Sequence, residues 1–166
     1  FDEHLAREVA HADRADGSLC LLMVDIDHFK KINDSNGHQV GDEVLRHVAS
    51  NIAACIRPSD HAARFGGEEF AVVLAGVEKA HALAVAERIR SKVEHDRTMP
   101  CPATVSVGLA TYEPLVNYAE LCTPSSLLRA ADQALYTAKH RGRNRVQLAS
   151  YMPPSIRQTP SFLTKQ

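Results

Sequence analysis

Apolar residues run unbroken from Leu19 to Val24 (Leu-Cys-Leu-Leu-Met-Val) and end in Asp25-Ile26-Asp27, which predicts a strand buried on both faces. Before it, Leu5, Val9 and Ala12 recur at helical spacing, so a helix is expected from Phe1 to about Asp16, opening without a cap signal. After it, Phe29 to Asn33 suffice for one or two helical turns. Asp42 then opens a helix with Val44, Leu45, Val48, Ile52 and Ile56 on one face, ended by Pro58. Ala62–Phe65 and Phe70–Leu74 read as the strands of a hairpin around a glycine turn. Leu83, Ala86, Ile89 and Val93 mark another amphipathic helix, and Pro100 and Pro102 separate it from Thr104–Leu109, which alternates as a half-buried strand. Ser125 is the expected N-cap of a helix carrying Leu127, Leu128, Ala131, Leu135 and Ala138. That helix stops at Gly142, ahead of a short strand from Val146 to Leu148.

The order is β-α-β-β-α-β with additions. It matches the ferredoxin-like α+β arrangement, an α/β sandwich with helices packed on one face of a mainly antiparallel sheet. One domain is expected over residues 1–150. Residues 151–166, with Pro153, Pro154 and Pro160 and little periodicity, are expected to form a loosely ordered tail.

Composition narrows the function classes. The chain has 166 residues, of which 45% are hydrophobic and 23% charged, enough for one well-filled core. Its 19 basic and 20 acidic residues leave a formal charge of -1, so there is no broad positive field for duplex nucleic acid. Cys20, Cys55, Cys101 and Cys122 are dispersed without C-x-x-C spacing, which argues against a disulfide framework or zinc site and for reduced thiols in the cytoplasm. No run approaches the ~20 apolar residues of a membrane span. No membrane contact by this segment is expected, and any anchor would belong to a longer parent chain.

Two acidic elements carry the chemistry. Arg64-Phe65-Gly66-Gly67-Glu68-Glu69-Phe70 sets two carboxylates on a glycine turn between apolar runs, and Asp25-Ile26-Asp27 ends the buried strand. Carboxylates at a buried strand end are costly unless paired or metal-bound. In the expected fold the two elements lie side by side, so their carboxylates converge into an oxygen-only site. Such a site suits Mg²⁺ or Mn²⁺, which a few carboxylates bind together with substrate phosphates. Asp25 and Asp27 project to one side of the strand, while Ile26 reaches the same ion only through its carbonyl. The implied partner is a nucleotide.

These residues resemble the catalytic domain of the GGDEF-family diguanylate cyclases along nearly all of Phe1 to Ala149. The resemblance rests on Gly66-Gly67-Glu68-Glu69-Phe70 (the G-G-E-E-F form), on Asp25-Ile26-Asp27-His28-Phe29-Lys30-Lys31-Ile32-Asn33-Asp34, and on Ala138-Lys139 through Gly142-Arg143-Asn144. It implies a fold similar to the palm of nucleotidyl cyclases and polymerases, and condensation of two GTP into cyclic di-GMP with release of two pyrophosphates. It further implies two Mg²⁺ or Mn²⁺ ions per active site, held by Asp25, the Ile26 carbonyl and Glu68, with Glu69 assisting. Glu68 is then the candidate proton acceptor, with water as the alternative. Lys30 becomes the phosphate clamp, and the backbone amides of Phe29 and Lys30 bind the terminal phosphates at a helix start. Asn33 and Asp42 read guanine, with His38 lining that pocket; the Asp42 carboxylate accepts from guanine N1–H and the exocyclic amine, a donor pair that adenine lacks. Taken alone, Asp42 is an ordinary first-turn helix acid. Lys139 and Arg143 reach the β- and γ-phosphates.

Arg57-Pro58-Ser59-Asp60 has the spacing of the family's R-x-x-D product-inhibition site, and Arg88 falls where its second inhibitory arginine would lie. One domain offers one GTP site, so the product requires a homodimer whose sites face each other. The resemblance also implies an upstream sensory or receiver domain in the parent chain. The family's usual D-x-L-T-x-L-x-N-R stretch is absent before Phe1, so the chain is expected to start inside the family's first helix. The runner-up reading is a catalytically silent receptor for GTP or cyclic di-GMP.

Overall fold

Strand β1 (Leu19–Ile26) is buried along its whole length and divides the hydrophobic interior in two. Cys20, Leu22, Val24 and Ile26 point into one apolar cluster, and Leu19, Leu21 and Met23 into the other. This is the outcome of an unbroken apolar run: alternate side chains leave opposite faces, so both need a covering layer. The computed structural model describes residues 1–15, 17–112 and 123–149. The expected tail at 151–166, and Cys122, lie outside them.

A five-stranded sheet is ordered β2-β3-β1-β4-β5, with β2 His61–Arg64, β3 Glu69–Ala75, β4 Val105–Tyr112 and β5 Val146–Leu148. Every neighbouring pair is antiparallel except β4 and β5, which are parallel. The first four strands keep the ferredoxin-like order. The fifth is added through a helix, as a parallel connection requires.

Helices cover both faces, which corrects the expectation of one. Helices α2 (Phe29–Asn36), α3 (His38–Ala53) and α4 (Lys79–Glu94) close the larger cluster, while α1 (Asp2–Arg14) and α5 (Pro124–His140) close the other. The two core crossover helices, α3 and α4, do share a face; α1 and α5 fill the one left open.

Several local expectations shift for identifiable reasons. Helix α3 begins at His38, four residues before Asp42, and ends at Ala53, well short of Pro58, where Cys55 N–H turns back to the Ile52 carbonyl at 2.9 Å. Leu83 is 39% exposed; the buried face of α4 is Ala82, Val85, Ala86, Ile89 and Val93. Strand β4 runs on to Tyr112 and is buried on both faces, not one. The N-cap of α5 is Thr123 rather than Ser125. Thr123 accepts from Ser126 N–H at 3.1 Å, Ser126 Oγ accepts from Thr123 N–H at 2.9 Å, and Pro124 takes the first helical position, where its missing N–H costs nothing.

Helix α5 lies directly on β4 because position 108 has no side chain. A Cβ there would sit 2.1 Å from the Ala131 carbonyl oxygen and 2.3 Å from the Leu135 nitrogen. That close approach sets where the end of α5 meets the end of β1.

Candidate functional site

The site forms where β1 and β3 end together. Asp25 stands opposite Glu69 in the antiparallel register, and Ile26 N–H donates to the Glu68 carbonyl at 3.3 Å. The strand-end aspartate and the glycine turn are therefore neighbours, as expected.

The turn is closed from within. Phe65 N–H donates to the Glu69 carbonyl at 2.8 Å, and the Arg64 guanidinium donates to the Gly67 carbonyl at 2.6 and 3.0 Å. A Cβ at Gly66 would meet Glu69 Oε2 at 2.9 Å, so glycine leaves room for that carboxylate to fold over the turn. Arg64 braces this turn, a role that its strand-end position alone did not reveal.

Asp25 is only 4% exposed, and its Oδ2 lies 2.7 Å from Lys139 Nζ at the end of α5. Burial raises its pKa to about 6; Lys139 opposes that shift through its hydrogen bond and charge, while Glu68 and Glu69 add to it. Asp132, also on α5, is held above the usual carboxylate range by loss of solvent and by Glu69. Negative charge thus exceeds the single lysine that offsets it. This suits a hard divalent cation. Among the described residues no three donors are assembled at metal-binding spacing. The oxygen chemistry of these donors fits Mg²⁺, which a few carboxylates bind together with water and phosphate oxygens.

Asp27 serves a different end from its neighbour. It is 5% exposed and accepts from Thr104 Oγ1 and Ser106 Oγ at 2.7 Å each and from Asn144 N–H at 3.0 Å. It thereby pins the turn after α5, where Gly142, Arg143 and Asn144 all have positive φ, and so places Arg143. Three hydrogen bonds to one carboxylate mark a positioning residue, a role the strand periodicity does not show.

The remaining expected residues lie on α2 and α3. Phe29 is 9% exposed with its ring in the core, which leaves only its backbone for a ligand; Lys30 is exposed in the first turn of α2. Asn33 packs against Gly41, where a Cβ would fall 1.9 Å from Asn33 Oδ1. Glycine there lets α2 and α3 bring Asn33 beside Asp42. Asp42 lines a cleft of about 570 Å³ between α3 and the β2–β3 hairpin, with Leu45, Arg46, Ala49, Arg64 and Phe70 among its walls. His38 is exposed at the first position of α3.

In the turn after α3, Arg57 N–H donates to Asp60 Oδ2 at 2.8 Å, Arg57 Nη2 lies 3.0 Å from His81 Nε2, and Arg88 donates to the Cys55 carbonyl. Helix α4 thus brings His81 and Arg88 to the Arg57–Asp60 turn. Asp60 Oδ1 is buried with no partner among the described residues.

Comparison with known proteins gives a consistent result. The profile described as "Diguanylate cyclase, GGDEF domain" matches residues 1–145. Diguanylate cyclase DosC of Escherichia coli K12 is 42% identical over 147 residues, covering 86% of this chain and 31% of that relative. The chain therefore spans about a third of the length of that curated relative. The GGDEF domain of DgcB from Caulobacter crescentus, solved in complex with c-di-GMP, superposes with a TM-score of 0.80 at 39% identity over 90% of this chain and 88% of that one. The active GGEEF domain of a Vibrio cholerae diguanylate cyclase superposes with a TM-score of 0.82 at 31% identity over 90% and 94%. Among the described residues no helix is long and apolar enough to cross a membrane.

Proposed function

The chain belongs to the GGDEF family of diguanylate cyclase domains, and on that premise we propose that it condenses two GTP into cyclic di-GMP and two pyrophosphates, each subunit of a homodimer holding one GTP. The observation that carries this reading is the β1–β3 register, which sets Asp25 opposite Glu69 with Glu68 bonded to Ile26. Acid, glycine turn and strand end meet where a nucleotide triphosphate and its cation would bind.

In each half-reaction the 3′-oxygen of one GTP bonds to the α-phosphorus of the other, and the bond to the departing pyrophosphate breaks. The hydroxyl proton leaves to Glu68 or to water. Asp25, the Ile26 carbonyl, Glu68 and Glu69 would hold two Mg²⁺ or Mn²⁺ ions. Bound there, the ions would lower the hydroxyl pKa and neutralise charge on the α-phosphate and leaving group. The chain itself binds and orients. Lys30, Lys139 and Arg143 contact phosphates, with the Phe29 and Lys30 amides at the start of α2, while Asn33, His38 and Asp42 select guanine. Lys139 must exchange some of its contact with Asp25 for phosphate when substrate arrives.

Cyclic di-GMP also acts as inhibitor at Arg57 and Asp60, in the turn after α3, and at Arg88 on α4. Asp60 Oδ1, buried without a partner among the described residues, supports this, since such an acceptor gains from a ligand donor. In the parent protein an upstream sensory or receiver domain sets how often two such domains meet.

The test is product analysis after incubating concentrated protein with GTP and Mg²⁺. Cyclic di-GMP supports the reading. Thermal stabilisation by GTP or cyclic di-GMP without turnover, even after fusion to a dimeriser, would instead favour a silent receptor.

A further inference from the structure

We propose that Arg46 is a specificity-determining residue that reads the acceptor edge of guanine, in a pair with Asp42; the inference rests on the guanine reading above. Asp42 and Arg46 lie four residues apart in α3, so they project from one face of the helix. Both line the same cleft of about 570 Å³, whose walls include Leu45, Ala49 and Phe70. The walls thus combine apolar surface suited to a flat purine with charged groups suited to its polar edges.

The cleft holds two arginines, in different states. Arg64 is committed to the Gly66 and Gly67 carbonyls of the glycine turn. Arg46 is exposed and, among the described residues, makes no hydrogen bond or ion pair. It is therefore available to a ligand in the cleft without breaking any contact.

The chemistry matches one base. Guanine presents two donors, N1–H and the 2-amine, on its Watson–Crick edge and two acceptors, O6 and N7, on the adjoining edge. A carboxylate satisfies the first pair, and the arginine fork satisfies the second bidentately. Adenine turns an acceptor toward the carboxylate and an amine toward the guanidinium, so it loses the carboxylate contact and leaves the arginine fork only N7. Lysine at position 46 would keep the charge and lose the fork. Asp42 alone distinguishes donors; the pair distinguishes both edges.

The test compares binding of GDP, ADP, inosine diphosphate (which lacks the 2-amine) and 7-deaza-GDP (which lacks N7), each with Mg²⁺. Diphosphates keep turnover out of the measurement. Wild type is expected to bind 7-deaza-GDP about tenfold more weakly than GDP. Arg46→Met should treat those two alike while still rejecting the inosine compound, and Arg46→Lys should fall between. Asp42→Asn should show the converse pattern, which separates the two roles. If Arg46→Met retains the wild-type ratio for 7-deaza-GDP, or if wild type shows no such ratio while preferring GDP to ADP, Arg46 is a solvated helix residue. If wild type does not prefer GDP to ADP, the guanine reading beneath the proposal falls as well.

Discussion

Lys139 Nζ on α5 lies 2.7 Å from Asp25 Oδ2 at the end of β1. A side chain expected to meet phosphates is thus the resting counter-charge of a side chain expected to bind metal. The pairing follows from burial: Asp25 would otherwise face Glu68 and Glu69 with nothing to offset it.

Removing that lysine should therefore weaken the fold before any substrate is added. Lys139→Met is expected to lower stability by about 1–3 kcal/mol at pH 8, between the values for exposed and buried pairs. Added Mg²⁺ should restore more of the melting temperature in the variant than it adds to wild type. Parallel thermal melts with and without Mg²⁺ check this.

Glu68→Gln keeps shape and removes charge. Turnover is expected to fall by at least about a hundredfold, the usual scale for losing a proton-transfer group. The melting temperature should stay near wild type, because the Glu68 backbone carbonyl, not its side chain, accepts the bond from Ile26. Product yield and a melt on the same sample decide it.

Gly108→Ala tests whether helix docking positions the site. Its Cβ would meet the Ala131 carbonyl oxygen at 2.1 Å and the Leu135 nitrogen at 2.3 Å, both backbone atoms that rotamers cannot move. A loss of about 1–3 kcal/mol or more is expected. Turnover should fall further than stability alone predicts, since Lys139 and Asp132 move with α5. Activity measured well below the variant's melting temperature separates the two effects.

Arg57→Ala and Asp60→Ala should each relieve product inhibition and keep the initial rate, because neither contacts the metal carboxylates. Progress curves with added cyclic di-GMP provide the check. Curves that overlay wild type would remove these residues from the inhibitory site.

Acid stability should depend on Asp96, which ties the segment after α4 to α3. Thr98 Oγ1 donates to it at 2.6 Å, Asn51 at 2.8 Å and Thr98 N–H at 2.9 Å, and His47 Nδ1 lies 3.2 Å away. The Thr98 hydroxyl first, then Asn51 and the Thr98 amide, hold its carboxyl well below the ordinary value of 3.8. A folded-state pKa below the unfolded one stabilises the ionised form, so the contribution is full above about pH 4 and is lost as pH falls through the depressed folded value. Asp96→Ala is expected to cost about 1–2 kcal/mol at pH 7. Urea midpoints at pH 7 and pH 3 should show the gap from wild type narrowing at the lower pH.

The elements that could be read ahead of the structure share one property: their signals lie within a few residues of one another. The apolar run of β1, the hairpin around Gly66-Gly67 and the 3.6-residue stripes of α1 and α3 all appear where expected. Boundaries moved even where the signal was local, as when Thr123, capped reciprocally with Ser126 and followed by Pro124, took the N-cap of α5 in place of Ser125. Leu83 shows the limit of periodicity. Either it or Ala82 continues the stripe of α4, and packing against the sheet chose the smaller residue.

The site divides the same way. By itself the sequence determined which carboxylates sit on a turn and at a buried strand end, and therefore that these acids need partners, because burying an uncompensated charge is too costly to be incidental. Tertiary structure decided what each acid does. Asp25 and Asp27 are two residues apart and look alike in sequence, yet one meets Lys139 and the other anchors Thr104, Ser106 and Asn144. Those partners come from strands and helices distant along the chain. Their meeting depends on which faces pack and which glycine admits a helix backbone, relationships that local periodicity does not encode.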